Sequence, residues 1–201
     1  MGKIMMINAS PRAPKSNSKQ YARIFSESSR LPTEYFELTK TNHAGLARKM
    51  EGFSDVLLIF PLYADGIPAT LLNFLKSLEE NSPRPKPAIS VLINCGFMEP
   101  EQNNVAIQMI QLYCRKFGYP NGSILKVGSG EAILTTPFRF LVKGKIKKLA
   151  AAISAAKHRE LQTTMPIPKK VFIRASSTYW ENYGKRNGIT RKDMQTMQIE
   201  S

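Results

Sequence analysis

Three short, continuous apolar runs constrain the fold of this 201-residue chain more than any other feature of its sequence. They cover residues 3–8, 55–60 and 88–94. Strands of a parallel sheet that helices cover on both faces have no polar side, so their sequences lack the alternation of half-buried strands. The runs therefore predict three buried, parallel strands.

Amphipathic stretches separate these runs and predict helices over residues 17–29, 68–80 and 101–117. In the second stretch, Leu71, Leu75 and Leu78 recur at helical spacing. Two weaker strands, at 33–38 and 123–127, and two further helices, at 43–51 and 143–157, complete the series. Strict alternation of strand and helix predicts a doubly wound, five-stranded parallel sheet with helices on both faces, right-handed crossovers and strand order 2-1-3-4-5.

The chain length fits one domain, which we place at residues 1–160, followed by an extension at 161–201. Residues 165–168, Met-Pro-Ile-Pro, break the helical pattern. Beyond them, Ser177 or Thr178 is the predicted N-cap of a short aromatic helix that ends at Gly184 or Gly188. We expect this extension to pack on the domain.

The net charge of +14 is concentrated near the C-terminus, because residues 139–201 hold fourteen Lys and Arg against four Asp and Glu. One interpretation is an anion site for NADPH phosphates, acidic lipid or nucleic acid, with Tyr179, Trp180 and Tyr183 as packing or stacking surfaces. The other, which we favour, is a solvated cationic face whose aromatic residues anchor the extension. No recognisable nucleic-acid module accompanies the charge, so nucleic acid is not an expected partner.

The cysteines and histidines favour a cytoplasmic protein without a metal site. Cys95 and Cys114 lie in an apolar run and an amphipathic run, which predicts buried free thiols in a reducing compartment. They form no Cys-x-x-Cys pair. His43 and His158 are isolated in the sequence, and we expect both at the surface. No apolar run is long enough to span a bilayer.

In an open parallel sheet, ligands bind at the carboxyl ends of the strands, where the strand order reverses. The loop after the first strand would offer a phosphate the N-terminus of the following helix, several hydroxyls and an arginine. The alternative is an ordinary capped loop that only starts the helix. The candidate phosphate-binding residues of this loop are Ser10, Arg12, Ser16, Asn17 and Ser18.

The loops after the third and fourth predicted strands would close the same crevice. The first of them could form a wall beside a flavin ring, with glycine allowing close approach, although Tyr63 alone suits a surface aromatic and Asp65 a turn former. The candidate residues of these two loops are Pro61, Leu62, Tyr63, Ala64, Asp65 and Gly66, followed by Asn94, Cys95, Gly96 and Phe97.

Together the motifs resemble those of the flavodoxin-like NAD(P)H-dependent FMN and quinone reductases. The family's phosphate loop, Ser-Pro-Arg followed by Ser-Asn-Ser or Thr, is similar to residues 10–12 and 16–18. Its flavin-flanking turn is similar to residues 61–63 and 66–69, with Leu71, Leu72 and Lys76 following. The resemblance covers about residues 3–157, and residues 180–188 look like an extension found in some members.

The resemblance implies bound FMN that is reduced by NADPH or NADH and reoxidised by a quinone, a flavin or another small acceptor, in a homodimer. Because the cofactor supplies the chemistry, no catalytic side chain and no metal ligand is expected. Two positions depart from the family pattern: Ala9, where glycine is frequent, and Asp65, where many members carry a neutral residue. Residues 128–130, Gly-Ser-Gly, lack the rest of a nucleotide-binding Walker pattern.

A second hypothesis belongs to another class of protein. In it, the chain is a flavodoxin-fold binding or scaffold protein without redox activity, and its basic extension holds an anionic partner such as a membrane surface. Flavin content separates the two hypotheses.

Overall fold

The computed structural model describes residues 2–13 and 15–196 and alternates strands with helices over most of that length. The elements in chain order are β1 (Ile4–Asn8), α1 (Asn17–Ser28), β2 (Thr33–Glu37), α2 (His43–Lys49), β3 (Asp55–Pro61), α3 (Ala69–Glu80), β4 (Ala88–Asn94), α4 (Asn104–Phe117), β5 (Asn121–Val127), α5 (Arg139–Ser154), β6 (Glu160–Thr163), α6 (Lys169–Arg186) and α7 (Arg191–Met194). Short 3-10 turns cover Met50–Gly52, Pro100–Asn103 and Ile133–Thr135.

The strands form one parallel sheet in the order β2-β1-β3-β4-β5-β6. The doubly wound α/β architecture and the order of the first five strands are as predicted, but the count of five strands was wrong. The sixth strand, β6, pairs only with β5 and carries Glu160, Leu161, Gln162 and Thr163 with alternating exposure. An edge strand of this kind has no continuous apolar run, and the pattern that revealed the central strands could not reveal it.

Helices cover the sheet on both faces. On one side, α1 packs beside α5, with Tyr21, Phe25 and Ile146 fully buried. On the other side, α2, α3 and α4 cover the opposite faces of the same strands in one continuous apolar cluster, which includes Phe60 and Phe74. Each large apolar side chain removed from water in this way contributes roughly 1.5–3 kcal/mol to stability. The sheet is therefore a rigid platform for the loops at its edge.

Two details of the helices differ from the predictions. The predicted helix 101–117 is divided into the 3-10 turn Pro100–Asn103 and α4, and the predicted helix 143–157 is α5, which begins at Arg139 and ends at Ser154. The prediction of buried free thiols is confirmed for Cys95 and Cys114. Of the two histidines, His158 is exposed, but the His43 ring packs against Phe74 and its Nε2 atom is buried, because α2 packs on α3.

The chain divides into two compact units, Met1–Met165 and Pro166–Ser201. The second unit contains α6 and α7. Within the part of the chain that the structure describes, neither these nor the other helices are long and apolar enough to cross a membrane. The docking of the basic extension on the domain stays a prediction.

The predicted cap of the extension helix was wrong. The helix α6 begins at Lys169, after Pro168, and Ser177 and Thr178 lie inside it. Their hydroxyls donate to the carbonyls of the residues four positions earlier, at 3.0 Å each. Serine and threonine occur inside helices with this hydrogen bond and also at helix caps. Their presence alone therefore did not locate the start of the helix. At the other end Gly188 adopts a left-handed φ of 74°, as a C-terminal glycine does.

Candidate functional site

The loops after β1, β3 and β4 lie at one edge of the sheet, because these three strands are adjacent and parallel. Backbone hydrogen bonds join them. The amide of Ala9 donates to the carbonyl of Ile59 at 2.9 Å, and the amide of Leu62 donates to the carbonyl of Asn94 at 2.7 Å. The three sequence-predicted loops are therefore brought together at the point where the chain order reverses.

The loop after β1 is held by short-range hydrogen bonds on both sides. Residues 10–13 form a turn in which the Ala13 amide donates to the Ser10 carbonyl at 3.1 Å. Ser16 is the N-cap of α1, and its Oγ accepts a hydrogen bond from the Lys19 amide at 3.2 Å. The helix thus begins at the end of this loop, as predicted.

A ring of polar contacts fixes the start of α1 against the sheet. The buried Asn8 side chain donates to the Ser16 hydroxyl at 3.2 Å and to the Tyr35 hydroxyl at 2.8 Å. Tyr35 donates in turn to Glu37 at 3.1 Å, and Glu37 pairs with the Lys19 ammonium at 3.2 Å. Burial raises the pKa of Tyr35 to about 12, so the phenol keeps its proton at neutral pH.

The chemistry of this loop fits a phosphate group. At the first turn of α1, the amides of Asn17 and Ser18 have no carbonyl partner within the helix, as at any helix N-terminus. The Ser16 oxygen accepts two hydrogen bonds, which leaves its O–H available to donate. Residues 9–18 contain no Asp or Glu, and Arg12 is exposed beside them. The loop itself would therefore offer an anion donors and positive charge, while the nearby Glu37 carboxylate is paired with Lys19.

The loop after β3 carries a tight turn. Tyr63 and Gly66 exchange backbone hydrogen bonds of 3.1 and 3.0 Å, and the two central residues, Ala64 and Asp65, have left-handed φ values of 47° and 57°. Asp65 is exposed at the tip, where its short polar side chain suits this conformation. Alanine does not favour the left-handed region, which costs it about 1–2 kcal/mol. Strain of this kind is frequent at functional loops.

The loop after β4 combines buried and exposed residues. Asn94 is buried at the end of the strand, and its Oδ1 has no hydrogen-bond partner among the described residues. Cys95 is buried beside it, and burial raises the pKa of its thiol above the ordinary value, so the sulfur stays protonated at neutral pH. Gly96 and Phe97 are exposed. The unsatisfied amide oxygen is a polar group of the kind that a bound ligand satisfies.

A fourth loop, which the sequence did not assign to the site, supports the third. The Gly130 amide donates to the Cys95 carbonyl at 2.7 Å, and the buried Tyr21 hydroxyl of α1 donates to the Gly130 carbonyl at 2.7 Å. A Cβ atom added to Gly128 would lie 2.4 Å from the Met98 carbonyl oxygen. The Gly-Ser-Gly segment therefore serves close packing between two loops.

Asn8, Tyr21 and Tyr35 were not predicted as site residues; they position the phosphate loop and its neighbour without being part of either. Only Asn8 could have been recognised from the sequence, because its amide side chain ends an apolar strand immediately before the loop. The two tyrosines lie on elements distant in sequence, and no local pattern connects them to it. Of the predicted site residues, Ser10 and Ser18 are buried within the loop, while Arg12, Tyr63, Ala64 and Asp65 are exposed.

No protein-family model and no curated protein sequence matches this chain. Solved structures do. An FMN-dependent NADH-azoreductase from Bacillus anthracis str. Ames Ancestor, in complex with FMN, is similar with a TM-score of 0.58 and 15% identity, covering 76% of this chain and 99% of its own. A flavodoxin of Streptococcus pneumoniae TIGR4 has a TM-score of 0.56 and 16% identity, covering 76% and 99%. An NADPH-quinone reductase from P. pentosaceus has a TM-score of 0.57 and 13% identity, covering 75% and 98%.

These likenesses, together with the sheet order and the loops at its switch point, define the chain as a flavodoxin-like α/β protein. The predicted flavodoxin-like α/β fold is thereby confirmed, except that the sheet has six strands instead of five. At 13–16% identity the similarity concerns the fold.

Proposed function

We propose that this protein binds FMN at the three loops and works as a flavin-dependent oxidoreductase. The observation that carries the proposal is the donor set at the start of α1. There, two backbone amides without a carbonyl partner in the helix, the Ser16 hydroxyl and a loop without acidic residues lie at the switch point of a flavodoxin-like sheet. The solved structures with this fold include an azoreductase in complex with FMN.

Different loops of the site would bind different parts of the cofactor. Ser10, Arg12, Ser16, Asn17 and Ser18 would hold the phosphate. The turn at residues 61–66 and the loop at 94–97 would flank the ring, with backbone amides and the unsatisfied Asn94 oxygen as hydrogen-bonding groups. Leu62 and Tyr63 would supply apolar surface. The exposed tips leave one side open for a second molecule.

Bound FMN supplies the transfer of a hydride or of single electrons between a donor and an acceptor. The side chains at the site bind and orient, and none is assigned to acid–base work. Cys95 stays protonated and buried, so we give it no redox role. The proposed donor is NADPH or NADH and the proposed acceptor is a quinone, a flavin or another small molecule.

The test is a flavin titration of the full chain. We expect purified protein to be yellow, or to become so with added FMN, to quench FMN fluorescence with one site per chain, and to be bleached by NADPH or NADH. Protein that stays colourless and leaves FMN fluorescence unchanged would refute the proposal and favour a scaffold without redox activity. If FMN binds but neither nucleotide bleaches it, the protein binds flavin and is not a reductase.

Asp65→Asn is expected to tighten FMN binding. The substitution removes an exposed negative charge beside the proposed ring site, and asparagine tolerates the left-handed φ of this position. An exposed charge acts through water, so we expect a change of severalfold, smaller at high salt. Fluorescence titration at two salt concentrations measures it. An affinity that is lower than that of the unchanged chain, or independent of salt, would place Asp65 outside the site.

We also propose that the chain forms a homodimer. Along α4, Val105, Met109 and Leu112 are exposed at spacings of four and three residues. A Cβ atom on Gly66 would lie 3.6 Å from the Met109 sulfur, so the middle of this stripe lies beside the Tyr63–Gly66 turn. Leu112→Glu is expected to produce a monomer, measured by light scattering during gel filtration. An unchanged dimer would exclude this face, and a monomer before substitution would exclude the dimer itself.

A further inference from the structure

Within its own unit, the helix α6 leaves an aromatic face uncovered. Tyr179, Trp180 and Tyr183 are 57%, 51% and 53% exposed, although aromatic side chains of this size are seldom left in water as a group. The three rings contact one another: the ring centroids of Tyr179 and Trp180 are 5.2 Å apart, and those of Trp180 and Tyr183 are 5.8 Å apart. They form one patch.

The patch continues along the helix. Phe172 precedes Tyr179 by seven residues and Tyr183 by eleven, and Ile173, which is also exposed, precedes Trp180 by seven. These spacings place the side chains on one side of an α-helix. We call this side the aromatic face of α6.

Three of the five cations of α6 lie away from that face, whereas Lys169 and Arg186, at the two ends of the helix, lie on its aromatic side. Lys170 and Arg174 are four residues apart, and Lys185 follows Arg174 by eleven, which places all three on the opposite side of the helix. Residues 166–201 hold seven Lys and Arg against three Asp and Glu. The helix is therefore amphipathic: it is aromatic on one side and mainly cationic on the other, where Glu181 is paired with Arg191.

We propose that α6 is a docking helix for an anionic lipid bilayer, lying in the plane of the membrane surface. Helices that bind there carry Trp, Phe or Leu on the side facing the acyl chains and Lys or Arg on the other, where the side chains reach the headgroups. Tyrosine and tryptophan suit this boundary because each ring has an apolar body and a polar group. The 18 residues give a helix about 27 Å long.

Charge and composition favour an anionic membrane over the other possible partners of α6. A second copy of α6, or any surface with more Lys and Arg than Asp and Glu, would cover the aromatic face but leave the cations on the other side of the helix without a partner. Nucleic acid would attract the cations but would leave Phe172 and Ile173 exposed without a role. The helix is not apolar enough to span a bilayer, which agrees with docking on its surface. An anionic membrane alone uses both sides of the helix.

The sequence contains a single tryptophan, Trp180, at the centre of the aromatic face, so its fluorescence reports on this helix alone. The experiment adds vesicles to the full chain at about 0.15 M salt, either of phosphatidylcholine alone or with 30 mol% phosphatidylglycerol. We expect a blue shift of the emission and cosedimentation with the anionic vesicles only. Neither readout depends on flavin, so this test and the flavin titration fail separately.

The matched variants distinguish vesicle binding through α6 from binding through the overall positive charge of the protein. Lys170→Glu/Arg174→Glu is expected to weaken vesicle partitioning at least thirtyfold, since each cation near the surface contributes roughly 1 kcal/mol. Lys143→Glu/Lys147→Glu changes the net charge equally at two exposed positions of α5 and should bind as the unchanged chain does. Trp180→Ser, at an exposed position, should fold normally and lose cosedimentation.

Four outcomes overturn the proposal. The first is an emission that is already blue-shifted and does not respond to vesicles, because the aromatic face would then pack against protein. The second is equal loss of binding in the α5 variant. The third is a fall in molecular mass for Trp180→Ser, which would make a second copy the occupant. The fourth is retention on DNA at the same salt with no vesicle binding.

Discussion

Ser16→Asp is expected to weaken FMN binding at least a hundredfold while leaving the fold as stable as before. Aspartate caps a helix about as well as serine, so the hydrogen bonds from the Lys19 amide and the Asn8 side chain keep an acceptor. The free energy of unfolding should change by no more than about 0.5 kcal/mol.

The loss of affinity has two causes. The substitution removes the hydroxyl proton that would donate to the phosphate, and a hydrogen bond to a charged group contributes about 1.5–3 kcal/mol. It also places a carboxylate beside the phosphate, in contact with the same two amides. A hundredfold change corresponds to about 2.8 kcal/mol, which lies within the range of the first effect alone and to which the carboxylate adds.

Arg23→Gln is the matched control, since it changes the net charge by the same amount at an exposed position of α1. Fluorescence titration measures the affinity and urea unfolding measures the stability of both variants. If Ser16→Asp binds FMN as Arg23→Gln does, the start of α1 does not hold the phosphate. If Ser16→Asp keeps both its affinity and its stability, Ser16 acts only as the helix cap.

Gly128→Ala is expected to destabilise the protein by about 3 kcal/mol, at the upper end of what an added methyl group costs in a packed interior. The new Cβ atom would lie 2.4 Å from the Met98 carbonyl oxygen and 2.9 Å from the Thr164 hydroxyl. The first of these is a backbone atom of the loop after β4, so that loop has to move. FMN affinity should therefore fall as well.

The control for this variant lies in the neighbouring loop. A Cβ atom added to Gly96 meets no atom within 4 Å, and we expect Gly96→Ala to change the free energy of unfolding by no more than about 0.5 kcal/mol. Denaturant unfolding of the two variants side by side gives the comparison. Equal stability of Gly128→Ala and Gly96→Ala would contradict the close packing of the two loops.

Local sequence patterns predicted the central strands and the loops after them. The runs that became β1, β3 and β4 are buried on both faces, and burial of that kind leaves a continuous apolar stretch in the sequence. Once the strands alternate with helices, the handedness of the connections leaves few topologies, and the loops at the switch point follow. The cap at Ser16 is equally local, since donor and acceptor lie three residues apart.

The features that only the tertiary structure decided depend on contacts between distant segments or on exposure to solvent. β6 is a short edge strand, so nothing in its composition requires it to pair with β5. The contact of Asn8 with Tyr35 spans 27 residues and that of Tyr21 with Gly130 spans 109, and no periodicity records either. Burial leaves its pattern along the chain, whereas a hydrogen bond between two loops depends on where the completed sheet places them.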